Sequence, residues 1–128
     1  MSYYFSRITD ASFDEVLTKV AAELKKEGFG ILTEIDVKDT LKKKLDVNFQ
    51  KYKILGACNP PFAYQALQME NKIGVMLPCN VIVQELPDGK VEVAAIDPVQ
   101  SMQAVGNPDL KIVTEQVQAK LRNVISNI

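Results

Sequence analysis

The sequence predicts an α+β fold: a two-layer sandwich whose mixed β-sheet is covered by helices mainly on one face. Three observations carry that expectation. Strand-like and helix-like segments alternate along the 128 residues, and the last two strands are joined by a hairpin signal. The composition, 47% hydrophobic and 24% charged, is that of an ordinary globular chain. Alternation implies crossover units with parallel neighbours and the hairpin adds an antiparallel pair, so the sheet should be mixed. Residues 1–128 read as a single domain, long enough to bury a core without disulfide staples, and no linker or low-complexity stretch divides them.

Residues 2–8 are expected to form a short strand, and Thr9-Asp10-Ala11 a turn. Ser12 followed three positions later by Glu15 is a capping box, and Phe13, Val16, Leu17, Val20, Ala21 and Leu24 recur on one helical face. Gly28 stops that helix where a left-handed residue is wanted, and residues 29–35 read as the next strand. Asp36 caps a shorter helix with Val37, Leu41 and Leu45 on one side and lysines on the other.

Strand character returns over residues 49–58, where Gly56 signals a bulge or a close backbone approach. Asn59 is a suitable N-cap and Pro60 a suitable first residue for a helix carrying Phe62, Ala63, Ala66 and Leu67. The apolar run 73–77 is broken by Pro78, which predicts an edge strand, a bulge or a bend. Residues 79–86 and 90–97 flank Pro87-Asp88-Gly89 and should be antiparallel neighbours, with Cys79, Val81, Val83 and Glu85 sharing one face. Val91, Val93 and Ala95 share a face of the second strand, so the valine side should be the core, with Cys79 at its rim. Residues 98–102 suit one helical turn, and 109–126 a closing helix with Val113, Val117, Leu121, Val124 and Ile128 in one stripe.

Composition excludes more chemistry than the motifs include. The chain has no histidine, so neither a Ser-His-Asp nor a Cys-His catalytic pair can be built. No glycine-rich phosphate loop of the familiar kinds occurs. A formal net charge of −1 gives little drive toward a polyanion, and Lys42-Lys43-Lys44 is offset by Glu34, Asp36, Asp39 and Asp46, so no nucleic-acid partner is expected. No apolar stretch reaches the length of a membrane span, and the first residues do not resemble an export leader. A cytoplasmic protein with no membrane partner is the expectation.

The two cysteines each precede an asparagine, in Gly56-Ala57-Cys58-Asn59-Pro60 and Leu77-Pro78-Cys79-Asn80. Both are expected as free thiols. Cys58 is the stronger candidate nucleophile, because amides and dipole at a helix N-terminus stabilise a thiolate; the competing reading makes it core filling at a strand end. Cys79 is the second candidate, again against a plain packing role. The spacing Cys-x20-Cys is neither a zinc signature nor a Cys-x-x-Cys redox pair, so no metal and no cofactor are expected. Asp97 before Pro98 ends a strand where functional groups often project, but it reads first as a turn former.

Leu55-Gly56-Ala57-Cys58-Asn59-Pro60, the helix with Ala63, Ala66 and Leu67, and Gly74-Val75-Met76-Leu77-Pro78-Cys79-Asn80-Val81 together resemble the family called domain of unknown function 302. The Glu27-Gly28-Phe29 segment and the strand before Asp97-Pro98 extend the likeness over nearly the whole chain. The resemblance implies a two-layer α/β layout similar to the repeat of TATA-binding proteins, a homodimer, and a bacterial or archaeal source. It implies no reaction. It also places a basic residue after the Asn-Pro pair, where this chain has Pro61, so no anion role carries over to that position.

Three functional expectations result. The first is a dimeric module that binds a small ligand or a partner protein near Cys58, Asn59, Pro60, Cys79 and Asn80. The second is sulfur transfer or redox sensing, with Cys58 as nucleophile and Cys79 as resolving thiol, and the third is a structural role alone. If a pocket exists, it should lie where the strand ending at Cys58, the helix opening at Asn59 and the strand opening at Cys79 converge, as a small polar spot suited to anionic or thiol-reactive ligands.

Overall fold

The computed structural model describes residues 2–128. Its element order is β1 (Tyr4–Thr9), α1 (Phe13–Lys26), β2 (Gly30–Asp36), α2 (Val37–Leu45), β3 (Tyr52–Cys58), α3 (Pro60–Met69), β4 (Cys79–Glu85), β5 (Val91–Ile96), α4 (Pro98–Ser101) and α5 (Lys111–Ser126). Short 3-10 turns cover Ile73–Met76, Gln103–Val105 and Pro108–Leu110. No helix among the described residues is long and apolar enough to cross a membrane.

Local chemistry sets most boundaries. Ser12 Oγ accepts from the Glu15 amide at 3.2 Å and starts α1. At its far end Gly28 has φ +86°, which lets the Phe29 amide reach back to the Leu24 carbonyl at 2.9 Å and the Gly28 amide to Lys25 at 3.0 Å. Asp36 caps α2 through the Asp39 amide at 2.9 Å. That helix buries no residue; its outer side carries Lys42–Asp46 and Lys43–Asp39 ion pairs.

The five strands form one open sheet in the order β1-β5-β4-β3-β2, and every neighbouring pair is antiparallel. This corrects the mixed sheet expected above. β1 and β2 do run the same way on either side of α1, as a crossover requires, but the other three strands lie between them. The connections through α2 and α3 each return the chain to an adjacent antiparallel strand. Alternating helix and strand signals therefore mark one crossover and two end connections, a distinction that only the strand order reveals.

The two layers follow from alternation in the strands. Val81 and Val83 of β4, Val91, Val93 and Ala95 of β5, and Leu55 and Ala57 of β3 are buried against Val16, Val20 and Leu24 of α1 and Val117, Leu121 and Val124 of α5. The valine face is thus the core face, as expected. α5 is further tied to β1, where Arg7 Nη1 donates to the Ser126 carbonyl at 2.6 Å and the Arg122 guanidinium sits 4.8 Å from the Phe5 ring centre. Helices cover this face, and among the described residues the opposite face of the sheet leaves Tyr4, Ile8 and Ile35 exposed.

Ile73–Met76 is a 3-10 turn rather than a strand, and the Leu77-Pro78 peptide after it is cis. Gly56 makes the close approach its position suggested: a Cβ there would overlap Thr33 Oγ1 and lie 2.8 Å from Pro78 Cγ. The matching irregularity is in β2, where the register slips between Ile31 and Thr33 and Leu32 bulges out.

Candidate functional site

A cavity of about 270 Å³ lies at the end of the sheet where β3 finishes and β4 begins. Its walls come from Ala57 and Cys58 of β3, Cys79 of β4, Phe62, Ala63 and Ala66 of α3, and Val113, Thr114 and Val117 of α5, with Phe29, Leu32, Leu77, Pro78, Pro98 and Met102 closing the sides. Their convergence has a local cause. Ala57 stands opposite Cys79 in the β3/β4 register, which puts Cys58 one step beyond that pair. α3 packs mainly on α5 and on the 3-10 turns, and the cavity lies beside it. None of its residues 60–69 is charged, so its inner face adds no ion to the lining.

The predicted site residues divide. Cys58, Asn59 and Cys79 line this one cavity; Pro60 lies outside its lining, and Asn80 points to the uncovered side of the sheet, where it lines a separate depression with Tyr52, Ile82 and Gln84. The convergence of strand end, helix start and strand start is therefore present, but the spot is apolar rather than polar. No Asp, Glu, Lys or Arg contributes to the lining.

Both cysteines are free. Burial pushes the Cys79 thiol up to about 11, with the nearby Cys58 as a lesser cause, so it is a neutral SH at physiological pH. Cys58 is half-buried at the mouth of α3. The amides expected to favour a thiolate there are few, because Pro60 and Pro61 occupy the first two helical positions and carry no N–H. Pro61 was the available signal.

Asn59 holds the N-cap backbone position of α3 without capping it. Its Nδ2 instead donates to the Glu27 carbonyl at 3.0 Å, joining the end of α1 to the start of α3. Gly28 is packed against this bond, since a Cβ there would lie 3.2 Å from Asn59 Nδ2. Asp97 is likewise engaged in structure: Oδ1 accepts from the Val99 amide at 3.0 Å and from Gln118 Nε2 at 3.1 Å, so the carboxylate caps α4 and pins it to α5. The turn-forming reading of Asp97 holds.

Leu32, Thr114 and Met102 are cavity residues the sequence did not single out. Leu32 reaches the wall through the β2 bulge, and Thr114 interrupts the apolar stripe of α5, its hydroxyl donating to the Lys111 carbonyl at 3.0 Å. The Thr114 interruption was legible; the bulge was not.

No curated protein matches the chain. Among solved structures, the crystal structure of an uncharacterized conserved protein DUF302 from Bacillus stearothermophilus is similar in fold, with a TM-score of 0.92 and 23% identity over 99% of this chain and 98% of that one. The family model described as domain of unknown function DUF302 matches residues 5–128, all of the sheet but Tyr4, both packed helices and every wall of the cavity, and the chain belongs to that family.

Proposed function

We propose that this domain is a binding module for a small, largely apolar molecule held between α3, α5 and the ends of β3 and β4. The observation that carries the reading is the cavity of about 270 Å³ whose walls hold no ionised side chain. Ligand sites are concave, mostly apolar and furnished with a few polar groups, and Cys58, Asn59, Cys79 and Thr114 are those groups here. Titration with the neutral fluorophore N-phenyl-1-naphthylamine tests it: saturable one-to-one binding is expected, and the Ala63→Leu variant, which fills the cavity, should abolish it. Equal binding by both proteins contradicts the reading.

The thiol reading is the weaker one. A buried Cys79 with its pKa near 11 is a poor resolving thiolate, and the paired prolines leave Cys58 few amide donors.

A homodimer is favoured by the uncovered sheet face. Alternation directs Tyr4, Ser6, Ile8, Glu92, Ala94, Ile96, Asn80, Ile82, Gln84, Tyr52, Ile54, Thr33 and Ile35 outward, and only Glu92 among them carries a charge at neutral pH, its carboxylate accepting from Gln84 at 2.8 Å. Five strands spaced ~4.8 Å apart and ~20 Å long give a face of roughly 500 Å² per copy before side-chain relief, the order a specific interface needs. Light scattering should report twice the 14.2 kDa chain mass, and Ile82→Glu should halve it. A single-chain mass for the wild type refutes the dimer.

A further inference from the structure

Two depressions, of about 240 Å³ and about 390 Å³, adjoin the cavity, and among the described residues Met102 alone lines all three spaces. The cavity also shares Leu77, Pro78 and Cys79 with the first depression, and Thr114 with the second. A residue that borders two adjoining spaces is part of the wall between them. The rest of the first wall is held by main-chain bonding: Cys79 is paired with Ala57 in the sheet, and the Leu77 amide donates to the Gly74 carbonyl at 3.2 Å. Met102 differs. Its amide donates to the Pro98 carbonyl at 3.0 Å and anchors the main chain at the end of α4, but its half-buried side chain is unbranched and turns about three bonds. The first depression is also the direction in which an apolar ligand lengthens without meeting charge. Its lining, which includes Val75, Ile96 and Ser101, holds no Asp, Glu, Lys or Arg, whereas Lys111 and Glu115 line the second.

Resting on the binding-module reading, we infer that Met102 sets the length of apolar ligand the domain accepts, stopping a chain inside the cavity of about 270 Å³ that would otherwise run on into the depression of about 240 Å³. The ligand class is then a compact apolar molecule whose far end rests against the Met102 side chain. Each methylene buried in the cavity tightens binding about fourfold. A methylene that must push Met102 aside forfeits that gain, because the displaced side chain loses the contacts it made. Cutting Met102 back to Cβ removes the side chain common to both spaces and nearly doubles the room open to one ligand. Beyond the wall Val75 is 86% exposed, so a methylene lying there is half wet and adds about twofold. Leucine at this position has nearly the volume of methionine and keeps the wall.

A chain-length series separates this inference from the reading beneath it: 1-butanol, 1-hexanol, 1-octanol and 1-decanol, each titrated into methyl-labelled wild type, Met102→Leu and Met102→Ala and followed by NMR. In wild type and Met102→Leu the affinity should climb and then level off before 1-decanol, with shifts on Ala63 and Val113 and none on Val75 or Ile96. In Met102→Ala the ratio of 1-decanol to 1-butanol affinity should rise about fourfold or more over wild type, and Val75 and Ile96 should shift with the long chains. If Met102→Ala fails to fold, the Met102 methyl of the wild type decides: it should shift at the chain length where the gain stops, and a methyl that stays still there overturns the length rule. Affinity that climbs undiminished to 1-decanol in wild type, or levels off at the same length in wild type and Met102→Ala, overturns the length rule and leaves the pocket. Absence of saturable shifts on the cavity methyls with every chain overturns both.

Discussion

Raising the pH should destabilise this protein through Cys79. In the unfolded chain the thiol titrates near its ordinary 9.0, whereas in the folded state burial holds it at about 11. Between those values the folded state retains a proton that the unfolded state has lost, so the stability of unfolding falls as pH rises. The contribution is fully present below about pH 9 and disappears as pH passes through 11. Two pKa units correspond to about 2.7 kcal/mol over the whole window, and about half of that is lost by roughly pH 10. Urea unfolding at pH 7.5, 9 and 10, for wild type and Cys79→Ala, measures it. Cys79→Ala should be less stable at pH 7.5 because it opens a small void in the core, but its loss on going to pH 10 should be smaller by about 1 kcal/mol or more. Lys53 is held above its usual range by its hydrogen bond to Glu34 and loses stabilisation in the same direction at high pH, but equally in both proteins. Parallel decline of the two curves would show that Cys79 is not buried as described.

Gly56→Ala should cost about 1–3 kcal/mol, because the new Cβ meets Thr33 and Pro78 on both sides, while Gly30→Ala, with nothing within 4 Å, should be near neutral in the same thermal melts. Asp97→Ala removes the α4 cap and strands the Gln118 amide, so a loss of about 2 kcal/mol or more is expected by urea unfolding; a change under 0.5 kcal/mol would remove that contact from the account.

Much of this architecture was legible because its signals are local. Ser12 with Glu15, Gly28 and Asp36 bound elements through hydrogen bonds that span only a few residues, and the valine alternation in 79–85 and 91–96 identifies the core face by period alone. Strand order was not legible, since the pairing of β1 with β5 joins Tyr4 to Ile96, and nothing near either residue announces the other. The candidate site shows the same division. Cys58, Asn59 and Cys79 were marked by their positions at element ends and do meet at one cavity. Their chemistry is less legible at Asn59, whose partner Glu27 lies far along the chain, and at α3, whose second proline removes an amide that would stabilise a thiolate. The resulting chamber is apolar because the uncharged face of α3 closes it.

Where a small apolar molecule lands tests the binding cavity most directly. With 1,4-diethylbenzene titrated into methyl-labelled protein, saturable shifts concentrated on Ala57, Ala63, Ala66, Val113 and Val117, the cavity walls, are expected. Shifts confined instead to Ile54, Ile82, Ala94 and Ile96 on the uncovered sheet face, or none that saturate, would contradict it.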